Sequence, residues 1–377
     1  MIYLDNAATV PVSKAALEAA LPFMGGAFGN PSSAHSRGRT AAMAIMRARE
    51  QCAAAISAHS SEIIFTSGGT EADNLAVFSA AAVGRKQGRR HIITTAIEHP
   101  AVLNACKSIE DFSLTVLRPN AQGFISAKQV ESALNEQTVL VSVMAANNEI
   151  GTIQPIAEIG ALCRSHGVIF HTDAVQALGA AELDVERMNI DMLSASAHKL
   201  GGLQGVGMLY CRSGIEAAPM IFGGGQERGL RSGTENTAGI VAFGCAAESA
   251  VSNIPEKQRK IGEMRDMLIR ELKKIQNSQI NGGFPRLCGN VNMSFAGVQG
   301  ESLVLSLDIA GVCASSGSAC ASGSGEPSHV LQAIGVSGAM LDGSLRLTIG
   351  EQNTPDEIRE AAKIITQTVQ RLRSLCE

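Results

Sequence analysis

The chain has 377 residues, 45% hydrophobic and 18% charged, with a formal net charge of −4. That length suffices for two domains. The charge balance, with basic residues scattered, excludes an electrostatic nucleic-acid or anionic-membrane surface, and 3% aromatics with no tryptophan leaves little for base stacking.

The opening Met1-Ile-Tyr-Leu-Asp5 reaches a charge at once, and no apolar run of about 18 residues follows, so neither an export signal nor a membrane span is expected. The expectation is a cytoplasmic protein. The nine cysteines are odd in number and make no CxxC pair. No His/Cys cluster has zinc-ligand spacing, so no metal is expected, and most thiols read as free, buried small hydrophobes.

Ser13 to Met24 has helical spacing with Ser13 as cap. Gly25 to His35 is a loop rich in glycine, asparagine and serine that reads either as a turn or as a substrate-facing segment. Arg39 to Ala58 is helical. Glu62 to Thr66 reads as a strand, and Ser67-Gly-Gly-Thr70 then opens a helix reaching about Val83. Strand, glycine turn and helix start form an anion-binding arrangement, because the first helical N–H groups lack partners. A plain capped helix start fits that segment equally well.

Strands at His91–Thr95, Leu114–Leu117, Val139–Met144 and Val168–Thr172 then alternate with helices after Glu98, over Ser126–Leu134 and over Ile156–His166. This rhythm predicts an α/β fold with a mostly parallel, helix-covered sheet. His99, Asn147, Asn148, Asp173 and Gln176 all fall at or just past the carboxyl ends of those strands, where open α/β sheets bind ligands.

Two apolar runs, Asp191 to Ser194 and Val206 to Tyr210, flank a stretch rich in small residues and glycine. It contains Ser196, His198 and Lys199. A lone lysine in a glycine-rich turn is commonly a surface lysine. Held away from water, it has a lowered pKa and forms Schiff bases with a carbonyl cofactor such as pyridoxal phosphate (PLP). Gly223 to Asn236 is a second glycine-rich loop with mixed charges, followed by a helix over Thr237–Val251. The pattern breaks at Ser252-Asn-Ile-Pro-Glu256, which predicts a domain boundary near 255. Beyond it, helices (Lys257 to about Ile275, Gly300–Leu307, Thr354–Leu375) and short strands (Asn290–Phe295, Ser344–Ile349) suggest a smaller α+β domain. In it, Cys313 to Ser328 is too polar and glycine-rich to be a packed element. Cys320 therefore stands in a solvent-reachable loop where a thiol can react.

Nine short runs carry a resemblance along the whole chain: LDNAAT at 4–9, NPSSAH at 30–35, TSGGTEADN at 66–74, EHPAV at 98–102, NNEIG at 147–151, TDAVQ at 172–176, SAHK at 196–199, QERGLRSGTEN at 226–236 and SSGSACASG at 315–323. In this order they resemble the PLP-dependent cysteine desulfurases of the iron–sulfur-assembly and nitrogen-fixation type.

The resemblance implies the PLP-dependent transferase fold type I, with a large domain over 15–255 and a small domain from 1–14 and 256–377. It implies a homodimer with active sites at the interface, L-cysteine as substrate and an iron–sulfur scaffold or other sulfur acceptor as partner. Lys199 would hold PLP as a Schiff base and move the substrate Cα proton. Asp173 would pair with the ring nitrogen, Gln176 would bond the phenolic oxygen and His99 would lie on the ring face. Gly69, Thr70, Ser196 and His198 would bind the phosphate, with Thr234 reaching the phosphate of the neighbouring subunit. Asn148 and Arg346, with Asn30, would hold the substrate carboxylate. Cys320 would take the sulfur as a persulfide. A selenocysteine lyase or a related PLP aminotransferase is the nearest alternative, and a non-catalytic sulfur-transfer scaffold the alternative of another class. After Lys199 such enzymes usually carry an aromatic residue and then Gly-Pro-Lys-Gly. Here Gly201, Leu203 and Gln204 replace the aromatic, the proline and the second lysine.

Overall fold

Alternating strand and helix periodicities dominate the first two thirds of the chain, and the computed structural model, which describes residues 1–317 and 327–375, follows them closely. In chain order come β1 (Ile2–Tyr3), α1 (Lys14–Met24), α2 (Ser36–Ala54), β2 (Ile63–Thr66), α3 (Gly69–Gln87), β3 (His91–Thr95), α4 (Pro100–Lys107) and β4 (Ser113–Leu117). Then follow α5 (Ala127–Ala133), β5 (Thr138–Ser142), α6 (Ile156–Ser165), β6 (Ile169–Asp173), β7 (Met192–Ser196) and β8 (Gly207–Cys211). The remainder holds α7 (Thr237–Val251), α8 (Ile254–Leu272), β9 (Ser278–Ile280), β10 (Asn290–Phe295), α9 (Gly300–Ile309), β11 (Val312–Cys313), α10 (His329–Ala333), α11 (Ala339–Asp342), β12 (Ser344–Thr348) and α12 (Pro355–Ser374).

The central sheet has the order β2-β8-β7-β6-β5-β3-β4. It is parallel from β7 to β4, and β8 runs antiparallel to both its neighbours. Because side chains alternate along a strand, each strand serves two layers. Phe65, Val141, Phe170, Leu193 and Met208 enter one core with α2, α6 and α7. On the opposite face Leu140 and Ile92 meet α3 and α4, and Met192 and Leu209 meet the start of α3. The polar residues Ser142, His171, Asp173, Ser194 and Ser196 share that second face by the same alternation, so the α3 side of the sheet is where titratable groups collect.

A three-stranded antiparallel sheet, β12-β10-β9, forms a second layer with α8, α9 and α12. Val291, Met293, Leu345 and Leu347 bury against those helices. The alternate residues Asn290, Asn292, Arg346 and Thr348 face the other way, with Asn292 opposite Arg346 in the register. The amide groups of Asn290 and Asn292 donate to the Glu149 carbonyl at 3.0 and 3.2 Å. This seats the loop after β5 on the polar face of the small sheet. The first residues of the chain join the same region: β1 pairs with β11, and the Asn6 amide donates to the Thr348 carbonyl.

Of the elements that depart from the sequence-based expectation, two do so for plain local reasons. α2 starts three residues earlier than expected, because the His35 ring accepts the Gly38 N–H and caps the helix there. It stops at Ala54, and Ser57 adopts a left-handed conformation (φ 59°). The edge strand β9, three residues long and polar, carries too little pattern to be predicted. All seven described cysteines are free, and four of them, Cys52, Cys106, Cys163 and Cys211, are buried. Among the described residues, no single helix is long and apolar enough to cross a membrane.

Candidate active site

One cavity of about 210 Å³ collects most of the residues that the motifs single out. Its wall contains Gly69, Thr70, His99, Asn148, Asp173, Gln176, Ser196, His198, Lys199 and Arg346, together with Ala7, Ala8, Asp73, Met144 and Val175. A larger cleft of about 440 Å³ adjoins it and shares Ala7, Val175, Gln176 and Lys199. The chemistry converges in the smaller one. Thr234 and Asn30 are exposed and stand outside both. Cys320 lies outside the described residues.

Each wall residue is held by a local device. Lys199 follows β7 in a single helical turn. Its ammonium donates to the carbonyls of Ala7 and Ala8 at 2.6 and 2.7 Å, and Gln176 also donates to the Ala7 carbonyl, at 2.9 Å. Asp173 ends β6 and is buried, with one carboxylate oxygen accepting the Val175 N–H at 2.9 Å. Burial pushes its carboxyl up, while His99 and Lys199 pull it back down. His99 caps α4, its Nδ1 accepting the Ala101 N–H at 3.2 Å. That bond places the ring proton on Nε2. Burial lowers the His99 pKa, against the pull of Asp173, so the imidazole is neutral. His198 is held down to about 4 by burial and by Lys199.

At the other end Gly69 and Thr70 are the first residues of α3, so their N–H groups form its positive end. The opposing strand β8 comes very close here. A methyl group on Gly207 would stand 2.5 Å from the Gly68 carbonyl carbon. Gly207 is therefore part of the site's construction, although nothing in the motifs marked it. Arg346 projects from mid-strand β12 and is almost fully buried. It donates to Asp5 at 2.8 Å and to the Asn148 carbonyl at 3.3 Å, while its Nε has no partner. A buried guanidinium with an unused donor is a receptor for a further carboxylate oxygen.

Three wall features were not read from the sequence: the Ala7 and Ala8 carbonyls that hold Lys199, the carboxyl of Asp73 and Gly207. Asp73 had a readable signal, since it stands four residues after Gly69 on one helix face.

The fold and this wall define a class. The chain belongs to the class-V aminotransferases, whose family model matches residues 2–360. Within that class it is 47% identical to the cysteine desulfurase IscS of Methanosarcina thermophila over 99% of this chain and 93% of that one. Among solved structures, a NifS-like protein superposes with a TM-score of 0.92 at 35% identity, covering 98% of this chain and 99% of the other. The structure described as SspA in complex with cysteine has a TM-score of 0.82 at 40% identity, covering 93% and 99%.

Class-V aminotransferases depend on PLP, and PLP is the cofactor here. The wall fits it. A lysine stands at one side, an α-helix start with its N–H groups at one end, and the buried carboxylate of Asp173 faces the same space.

Proposed function

We propose that the chain is a PLP-dependent L-cysteine desulfurase that converts L-cysteine to L-alanine and passes the sulfur, through its own Cys320, toward iron–sulfur cluster or other thio-cofactor assembly. The single observation that carries the reading is the convergence of Lys199, Asp173, His99 and Arg346 on one cavity. The kinship with cysteine desulfurases along nearly the whole chain supports it.

When bound, PLP supplies an electron sink for the substrate Cα–H bond. Lys199 anchors the cofactor and moves the Cα proton, and the two carbonyls it now bonds are its resting acceptors. Asp173 would hold a proton on the ring nitrogen. Gln176 would donate to the phenolic oxygen. His99, neutral and fixed by its cap, would hold the ring. Gly69, Thr70, Ser196 and His198 would hold the phosphate. Arg346 and Asn148 orient the substrate carboxylate. The Cys320 thiolate then attacks the substrate sulfur. The S–S bond forms, the Cβ–S bond breaks, and its electron pair stays on carbon, where a proton completes alanine.

Thr234 completes the phosphate site of a partner subunit in a homodimer, which agrees with its exposure outside this chain's cavity, and Asn30 helps to hold the substrate carboxylate. Exposed Leu17, Leu21, Phe28, Met43, Met46 and Phe222 supply apolar surface for that pairing. The chain divides into a PLP domain over 15–255 and a small domain from 1–14 and 256–377, a division supported by the separate core of the three-stranded layer. We place the enzyme in the cytoplasm.

The test mixes PLP-loaded protein with L-cysteine and measures alanine and sulfur bound to Cys320 together. Equal amounts of both in the first turnover are expected. Cys320→Ser retains PLP and forms neither product, and Lys199→Ala loses the imine absorbance. Undiminished sulfide release by Cys320→Ser refutes the assignment.

A further inference from the structure

The cofactor cavity contains a second buried carboxyl for which the reaction has no use. Asp73 stands in its wall, 1% exposed, and one of its oxygens has no hydrogen-bond partner. It lies one helical turn beyond Gly69, about 6 Å along the axis of α3. A cofactor whose phosphate is held at the helix start would therefore share its cavity with Asp73. Asp173 occupies the facing strand, opposite Ser194 in the register.

Among the described residues, no cation is placed against Asp73 to neutralise a charge on it. The Ser194 hydroxyl, beside it, lowers the proton affinity of its carboxyl. His171 comes within 3.7 Å of the unpartnered oxygen but does not reach it. Both nitrogens of that ring face hydroxyls, Ser142 at 2.8 Å and Ser194 at 3.0 Å. Burial holds His171 down to about 3, so it stays neutral. The other titratable groups around Asp73 are Asp173 and Glu98, both acids, and Cys106, whose thiol burial pushes up to about 12. His99 and Lys199 stand across the cavity, beside Asp173. Two carboxylates in one dry wall do not both ionise cheaply. Asp173 has the N–H of Val175 and lies on the Lys199 side of the cavity, so the proton stays with Asp73.

We propose that Asp73, buried in the cavity wall with one oxygen unpartnered, is a positioning residue of the PLP site that carries a proton beside Asp173, and that releasing this proton changes the charge felt by the cofactor ring. The inference rests on PLP as the cofactor. Burial, then Asp173, raise the proton affinity of Asp73, while the Ser194 hydroxyl lowers it. A pH switch follows whose midpoint Ser194 sets.

The experiment follows the absorption of PLP bound to the full chain, without substrate, over the whole pH range in which the chain stays folded. The wild type is expected to show two titrations, that of the imine and that of Asp73. Asp73→Asn, which keeps the shape and a donor, is expected to show the imine titration alone. Ser194→Ala is expected to move the second titration to higher pH by at least half a unit. Superimposable curves for the wild type and Asp73→Asn overturn the proposal. So does an unmoved or lowered second midpoint in Ser194→Ala, which keeps the test decisive if Asp73→Asn does not fold. A wild-type chain that gains no imine band with added PLP refutes the cofactor reading instead.

Discussion

The two sheets contribute to the cavity in different ways. The seven-stranded sheet supplies groups at the carboxyl ends of its parallel strands: Asp173 ends β6, Ser196 ends β7, His99 follows β3 and Asn148 follows β5. Their strand-end N–H groups and the start of α3 converge without special design. The three-stranded sheet supplies a single group, Arg346, from the middle of an antiparallel strand. Strand ends are open, so the first set sits on loops that neighbouring elements must pin. A mid-strand residue is fixed by its ladder, and Arg346 comes with its counter-ion Asp5 already in place at 2.8 Å. The lesson is a difference in construction: under the proposed function, one sheet would hold the cofactor, and Asn148 the substrate, by many adjustable contacts, and the other would hold the substrate by one rigid fork.

Removing the central group on each side tests this most severely. Asp173→Asn keeps the shape of the side chain and loses its charge. It is expected to lower kcat by about 10²–10³-fold, the scale for loss of one preorganised electrostatic partner, while leaving PLP bound. Stopped-flow absorbance of the loaded enzyme separates these two effects. Arg346→Lys keeps a charge for Asp5 but loses the planar fork. It is expected to lower kcat/KM for L-cysteine by about 10²-fold, chiefly through KM because the carboxylate is held before and during reaction. A loss confined to kcat contradicts the assigned role.

A third prediction concerns the cost of the cofactor wall. Glu98 is fully buried, accepts Thr95 at 2.7 Å and the Met144 N–H at 3.0 Å, and has one oxygen without a partner. Burial pushes its carboxyl from 4.5 up to about 8. The folded chain thus binds a proton more tightly than the unfolded chain. Its contribution to stability is complete below about pH 4.5 and is lost as pH rises through about 8. The total is on the order of a few kcal/mol. Glu98→Gln is expected to flatten the fall in Tm of the cofactor-free protein between these limits. An unchanged slope shows that Glu98 ionises freely.

The same division explains what the sequence made legible. The strand rhythm and the glycine turn at 67–70 exposed the large sheet, and the strand-end rule drew His99, Asn148, Asp173 and Gln176 together before any coordinates. Arg346 has no such signal. A single arginine in an alternating strand reads as an outward-facing surface residue, and only the resemblance picked it out. The expected alternation is correct, but its outward face is covered by the Asn148–Glu149 loop, a tertiary contact no local pattern encodes. Asp73 and Glu98 were missed for a related reason. An acid near a helix start or a strand end reads as a solvated cap, and burial by distant elements decides otherwise.

Gly207 sharpens the comparison at its smallest scale. It pairs with Thr66 on one side and Ser196 on the other, so it lies under the turn that begins α3. An added methyl group meets backbone atoms of Gly68 at 2.5 and 2.7 Å and the Ala195 carbonyl at 2.8 Å. Backbone yields less readily than a side chain, and the fixed pairing of β8 leaves the turn as the part that moves. Gly207→Ala is therefore expected to displace the N–H groups of Gly69 and Thr70, weakening PLP binding about tenfold, or about 1–2 kcal/mol, within the range for overpacking. Equilibrium titration of the cofactor-free protein with PLP measures this. The KM for L-cysteine, which under the proposed function depends on Arg346 and Asn148, is expected to stay within about twofold once PLP is saturating, because sites without shared partners act nearly independently. A parallel rise in that KM would show that the two sheets do not act separately on the cavity.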